Sequence, residues 1–525
     1  MPSAKVGINP ELFNGDGTPR IAPNDPGTGR QPTAKVLKGA PVTTQHPLYT
    51  KMLDKWQRCR DVIEGEDAIH EAGERYIAKL RDQQANEYSA MVNRTPFYNA
   101  TWRTIAGLLG MLFRKLPKIE APNALLDYFK DVTMSGVPLS LFAYKVAEEA
   151  LSVGRVGVLT EYPPVNVVGI TQLDADRLNL RPKLALYLAE SIINWRVQTI
   201  NNKPILTMVV LKEEYCEPIN DFQESVEPRY RVLDLVPYRD SNTGATSLRY
   251  RQRVFKVNRS GKQEQVSGDL YPLIKNAPLS YIPFVFIGVD DTTPEVDDPP
   301  LIDLVNMNIA HYKVACDYET GCHFCGLPTP VVAGQPLKPG DKLYVGSMTA
   351  WMLTDPASKW GYLEFGGQGL GALVQNMEKK EQYMVVLGAR MLEEMKKGVE
   401  AAETAALHRA GEQSVLAGMA QIISMGLTSS IKWFADWAMI DSSAVTIDIN
   451  KDFVPAPLDP IALAQLVSSW QQGAISYETL FDNIKRMGVI PDDRKVEDEF
   501  GMIAANPPTS VMDALLPDAQ PATNS

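Results

Sequence analysis

The residues best able to do chemistry in this chain sit close together: Cys322, His323 and Cys325, with Cys316 and His311 just upstream. A Cys-x-x-Cys beside a histidine supplies half of a tetrahedral zinc site, because thiolate and imidazole are ligands that zinc prefers. The second half is missing. The other two cysteines, Cys59 and Cys216, stand alone, and on a helix Cys316 and Cys322 lie about 120° off one another's face. The reading taken is a helix interface packed with small, soft side chains, and no metal is expected.

Three other stretches carry chemical potential. Phe365–Gly371 (FGGQGLG) puts glycines before a helix start, where phosphate can bind. Its spacing matches neither the dinucleotide fingerprint nor a P-loop, and no Lys-Ser or Lys-Thr follows. It reads as a joint entering a helix, and no cofactor is expected. Met395–Glu403 (MKKGVEAAE) is a basic bend between helical segments: a solvated turn, or a loop that touches a polyanion through Lys396 and Lys397. The acid pairs Asp290-Asp291 and Asp297-Asp298 lack the ligand spacing of a calcium loop. His70-Glu71 is not followed by the second histidine of a zinc protease, and no Gly-x-Ser-x-Gly elbow occurs. Enzymatic function finds no support.

The elements that must position these residues follow from the bulk numbers and the periodicity. At 525 residues the chain has room for two to four domains. A formal charge of −11 argues against a tight grip on nucleic acid, which needs clustered Lys and Arg to neutralise phosphates. Five cysteines make no disulfide framework and suit a reducing compartment. Residues 1–45 are polar and rich in Gly and Pro; they read as an extended arm without the apolar run of a signal peptide. The uncharged stretch 413–431 is broken by Ser, Thr and Gln, so no membrane span is expected.

Helical periodicity over 46–63, 69–93, 98–112, 123–134 and 138–153 predicts a helical N-terminal part. Gly154 is the expected cap of the last helix, and a buried strand follows at 155–161. The period then changes to two. Strands are predicted over 184–188, 192–199, 205–213, 229–237, 247–258 and 284–289, separated by Asn201-Asn202, Asn242–Gly244 and Ser260-Gly261 turns. Long helices follow at 299–325, 369–393 and 404–439, the first two about 35–40 Å in length and the third about 55 Å. Between the first two lies a small α+β knob, 326–368, with apolar runs at 329–333 and 342–345. A strand at 444–449 precedes three short helices at 459–471, 476–487 and 495–505, then a disordered tail, 508–525. The fold class is α+β.

Several of these stretches together resemble the portal proteins of tailed double-stranded DNA bacteriophages, in particular a branch filed under a domain of unknown function. The residues are Gly73–Leu80, Arg94–Asn99 with Thr104–Lys115, Gly154–Leu159, Ala189–Arg196, Pro299–Asn306 with His311 and Tyr312, Tyr362–Gly367, Leu387–Arg390 and Asn450–Phe453. They cover roughly residues 45–505 in the family's order. The resemblance implies a ring, a dodecamer in this family, around an axial DNA channel. It divides the chain into a wing (46–298, helical to 153 and β-rich from 154), a stem of two helices (299–325 and 369–394) and a clip between them (326–368). A tunnel loop (395–403), the wing's long helix and strand (404–456) and a helical crown (457–507) complete it.

Under that resemblance Lys396 and Lys397 meet DNA phosphates without reading bases, and net acidity lets a polyanion pass without sticking. Implied partners are other copies of the chain, double-stranded DNA, the terminase large subunit that hydrolyses ATP, head–tail adaptor and neck or tail proteins, and capsid and scaffold proteins. The location implied is the virion's head–tail junction, after assembly in the host cytoplasm. The competing expectations are another head or tail component, such as an adaptor or capsid subunit, and a metal-dependent hydrolase built on the Asp290–Asp298 acids.

Overall fold

The computed structural model describes residues 40–162, 180–239, 246–258, 260–274, 277–326, 329–334, 359–363, 367–392, 414–451, 460–486 and 494–505, with a few single positions besides. Helix and sheet are mixed, as expected. The chain forms two compact units, Met1–Gly110 with Pro117–Ile449, and Met111–Leu116 with Asn450–Ser525.

In the first unit, α1 (Pro47–Glu64) starts on a proline whose missing N–H costs nothing there. His46 caps it, its Nδ1 accepting from the Leu48 N–H at 3.2 Å, and its ring stacks 4.0 Å from that of Trp195. Tyr49, Met52, Trp56 and Cys59 recur at helical spacing and are buried, which is why this segment folds as predicted. On the same helix Arg60 pairs with Glu190 at 2.9 Å and with Glu149 at 2.5 Å, joining three separate segments.

The single helix expected over 69–93 is instead two, α2 (Glu66–Ala72) and α3 (Ala85–Arg94). Gly73 takes φ +49°, a conformation that ends α2 and that other residues adopt only at a cost. Gln84 and Glu87 then form a capping box that starts α3. Next come α4 (Ala100–Leu112) and α5 (Asn123–Leu126). The helix predicted over 123–134 is cut short: the Asp131 carboxylate accepts from the Thr133 N–H at 3.3 Å, a local bond that competes with helix continuation. Helix α6 (Leu139–Val153) has Pro138 as its N-cap rather than inside its first turn, and Gly154 closes it in the left-handed conformation.

The strands are β1 (Lys118–Glu120), β2 (Val156–Glu161), β3 (Lys183–Leu188), β4 (Ile192–Ile200), β5 (Lys203–Asn220), β6 (Gln223–Arg239), β7 (Thr246–Val257) and β8 (Gln263–Gln265). After two short bridging strands, β9 (Leu273–Ile274) and β10 (Ala277–Pro278), comes β11 (Phe284–Ile287). β2 is the middle strand of a three-stranded antiparallel sheet between β11 and β3. All six of its residues are buried, the uniform burial its apolar run suggested. Strands β4 to β8 form a five-stranded antiparallel meander. Asn201 and Asn202 both take positive φ in the β4–β5 turn, the two-residue hairpin geometry that asparagine tolerates.

β5 and β6 run far past the strands predicted at 205–213 and 229–237. Their paired extensions carry Glu214, Glu217, Pro218, Glu224, Glu227 and Pro228. Charged residues and prolines are poor strand formers by themselves, and here each strand is held by the other.

Further along are α7 (Ile302–Gly326), a hairpin of β12 (Thr329–Ala333) and β13 (Lys359–Leu363), α8 (Leu370–Ala389) and α9 (Val415–Trp437). The stretches 342–345 and 404–413 of the predicted knob and third helix lie outside the described residues. β14 (Thr446–Asp448) pairs antiparallel with β1. It is stitched to α9 by Ser424 and Thr428, whose hydroxyls accept from the Ile449 and Ile447 N–H groups, both at 3.0 Å.

The second unit holds α10 (Pro460–Gln471), α11 (Tyr477–Arg486) and α12 (Val496–Ala505). Tyr477 joins them: its ring centroid lies 5.7 Å from that of Trp470 and 4.5 Å from that of Phe500.

Candidate functional site

The segment that positions the candidate residues is the helix–hairpin–helix of α7, β12–β13 and α8. α7 and α8 are antiparallel neighbours. His311 lies opposite Glu381, and ten residues on, Gly321 lies opposite Leu370, where a Cβ would sit 2.5 Å from Leu370 Cδ2. The missing side chain is what lets the helices close there.

The base of α7 is welded to the start of α4 by one amide. The fully buried Asn308 accepts on Oδ1 from the Ala100 N–H (3.1 Å), the Thr101 N–H (3.1 Å) and the Thr101 hydroxyl (3.0 Å). Its Nδ2 donates to the Tyr98 carbonyl at 2.8 Å. Asn99 accepts from the Trp102 N–H at 2.9 Å. The free N–H groups at a helix start need acceptors, and α4 receives one of them from a residue 208 positions away.

His311 is buried one turn further along α7, with Nε2 3.2 Å from Glu381 Oε1 and Nδ1 without a partner. Burial lowers its pKa, opposed by Glu381.

Outward, the pair is bare. α8 buries only Met384 and Gly388 of its 20 residues and exposes Tyr383, Val385 (73%) and Val386. At the far end Phe324, Val331, Trp360 and Tyr362 are exposed. Five acids on the two helices (Asp303, Asp317, Glu319, Glu378, Glu381) face three lysines (Lys313, Lys379, Lys380), so the pair carries no basic stripe.

Lys396 and Lys397, the residues expected to touch a polyanion, lie outside the described residues, as does the rest of Met395–Glu403. Cys316 is buried while Cys322 and Cys325 are half-buried. Among the described residues no three His, Cys, Asp or Glu side chains gather as a metal site would require. Burial raises the Cys316 thiol pKa, which leaves it unreactive. The described part of the glycine-rich stretch, from Gly367, packs against Cys325 and Leu370, as a joint would.

Three of the acids at 290–298 hold their own loop or tie it to α1. Asp297 accepts from the Val289 N–H at 3.1 Å, Asp291 from the Thr293 N–H at 2.7 Å, and Asp298 pairs with Lys55. Sequence reasoning passed over the residue that holds this loop. Arg155 is buried, its guanidinium 4.3 Å from the ring of Trp195 and 4.5 Å from that of Phe286. It donates to the carbonyls of Pro294 (3.0 Å) and Glu295 (2.7 Å). Burial brings its pKa down to about 9, still cationic at neutral pH. The one available signal was an arginine at the head of the apolar run Val156–Leu159.

Residues 300–438 match a family model described as a domain of unknown function, DUF4055. The match spans the helix–hairpin–helix and all of α9. No curated protein matches the chain. Among solved structures, it is similar to a chain in the neck of an empty GTA particle computed with C6 symmetry, at 11% identity and TM-score 0.33, over 81% of this chain and 99% of that one. A chain in the virion of a native gene transfer agent particle scores 11% and 0.33, over 79% and 96%. One in the neck of a native GTA particle computed with C12 symmetry scores 10% and 0.34, over 79% and 96%. These likenesses are too low to carry the fold or the function. Among the described residues, no helix is long and apolar enough to cross a membrane.

Two outcomes test this site. Asn308→Leu leaves buried N–H groups of α4 without an acceptor and should cost about 2–4 kcal/mol of stability, read as a lower midpoint in chemical denaturation; an unchanged midpoint would show that the amide does not carry the junction. The depressed pKa of His311 means that the unfolded chain binds its proton first. Its contribution is therefore fully present above the ordinary histidine value of 6.5 and is lost as pH falls towards the lower folded value. Thermal stability should drop on acidification from pH 7 to 5, and His311→Gln should flatten part of that slope.

Proposed function

We propose that this chain is the portal subunit of a tailed bacteriophage or phage-like particle. It would form a ring at one capsid vertex through which double-stranded DNA enters and leaves. The observation that carries the reading is the α7–hairpin–α8 unit. Two antiparallel helices are fastened at one end to the body through Asn308 and tipped by an aromatic hairpin at the other, with α8 nearly uncovered. An isolated helix with so little tertiary packing is marginal in water, so copies of the same unit standing side by side would supply the missing cover. The acidic balance of the pair suits a wall that a polyanion slides past.

In this reading α7 and α8 are the stem, β12–β13 belongs to the clip that meets the packaging motor and later the adaptor and neck proteins, and Lys396 and Lys397 lie on the tunnel loop. The chain itself catalyses nothing; ATP hydrolysis belongs to the terminase. The fully buried polar groups described above are spent on structure, which supports that view over a hydrolase.

Negative-stain images of the purified full-length protein should show closed rings with a central hole wide enough for duplex DNA; a monomer at every concentration would sink the proposal. Replacing both Lys396 and Lys397 with Glu should leave rings intact and reduce DNA packaging or retention. Loss of the rings themselves would instead make this loop an intersubunit contact.

A further inference from the structure

β5 pairs with β4 only as far as Leu211, and β6 pairs with β7 only from Arg229 onward. Residues 214–228 therefore stand beyond the sheet as a two-stranded arm, about 20–25 Å long at strand rise. Its ladder runs from Glu214↔Pro228 to Asn220↔Gln223. The turn is fastened by the Asn220 side-chain oxygen, which accepts from the Phe222 N–H at 3.0 Å. A lone two-stranded ribbon has little stability of its own in water.

What the arm presents is specific. Five acids, Glu214, Glu217, Asp221, Glu224 and Glu227, lie along it without one Lys or Arg. Its tip is apolar: Phe222 is 99% exposed, and Ile219 and Val226 are exposed too. Charges and the prolines Pro218 and Pro228 on both edges oppose pairing with a further strand. The arm is thus built to dock through side chains, as an apolar anchor within an acidic collar.

A matching surface lies on the same sheet. Residues directly opposite in an antiparallel ladder share a face. By register Arg196, Met208, Asp234 and Arg251 form one row across β4 to β7. Arg249, Arg253, Lys212, Tyr230, Tyr238 and Phe255 share that face. The opposite face carries Leu211, Leu233 and Tyr250, which are buried in the core. The arginine face also carries Val210 and Val232, which are buried, while the charged and aromatic side chains around them are exposed or only partly buried. Its acids, Asp234 and Asp269, are engaged by Arg251 and Arg253, so positive charge predominates.

We propose that the acidic arm of one copy docks on the arginine-bearing face of this sheet in a second copy, with Phe222 as the anchor. Arm and receptor are different surfaces of one chain, so the contact is head-to-tail, the kind that closes rings. The inference rests on the ring proposed above and names one of its contacts.

Sedimentation velocity of the full-length chain tests it. Phe222→Asp and, separately, Glu217→Lys with Glu224→Lys should raise the concentration needed for assembly about tenfold or more, as loss of a buried anchor does. Circular dichroism and the thermal midpoint should stay unchanged, because these side chains are exposed. Arg249→Glu should weaken assembly similarly, and combining it with Glu217→Lys and Glu224→Lys should restore it in part. If wild type forms rings and the arm variants form them equally well, the ring stands and this contact falls. If the arm variants assemble normally but fail to enter particles, the arm's partner is another virion protein and the second-copy docking is wrong. If wild type never assembles, both fall.

Discussion

A buried amide, together with the core side chains Val305, Ile309 and Tyr312 on the same helix, ties the helical hairpin to the rest of the protein. Asn308 lies on α7, yet its oxygen completes the N-terminus of α4 and its nitrogen holds the carbonyl just before that helix. A buried amide with its groups satisfied both stabilises and selects, because any shift of α7 along α4 leaves donors without acceptors in a site closed to water. The position of α7, and through it the antiparallel α8 and the hairpin at their tip, depends on that register. Arg155 has the corresponding role in the segment just before α7. Clamped between Trp195 and Phe286, it pins the Pro294–Glu295 stretch that leads into that helix.

Packing in the described chain is unevenly distributed. Trp56, Leu211, Leu233, Tyr250 and Tyr312 belong to one continuous core, and β2 is buried at all six positions. α8 and the β5–β6 arm bury almost nothing. Apolar groups such as Val385 and Phe222 lose free energy by remaining in water, so these two elements are where contacts with other molecules would add most.

Much of the helical part could be read directly. α1, α6 and α7 repeat apolar residues at helical spacing, with a proline at the start of α1, a proline cap before α6 and a glycine after it. The failures have local causes. Gly73 and the Gln84–Glu87 box split a run whose apolar spacing looks continuous, and the Asp131 side chain ended another early. The extensions of β5 and β6 stayed hidden because Glu217, Pro218 and Glu224 carry no strand signal; the ladder between two such segments makes them strands. The cysteines near Cys322 suggested a metal only through proximity in sequence, and among the described residues no third ligand joins them. As for Lys396 and Lys397, their chemistry comes from the sequence and from the family resemblance.

Composition and periodicity by themselves determined the class of the protein: mixed helix and sheet, acidic, with long helices in its second half. Those properties are local, since charge, spacing and turn residues act within a few positions of the chain. Only the tertiary structure decided that Asn308 caps a helix 208 residues away, that Arg155 is a buried cation between two rings, and that residues 214–228 form an arm clear of the sheet. Each depends on which distant groups meet. Hydrogen bonding, stacking and burial act between neighbours in space, and periodicity along the chain does not specify them.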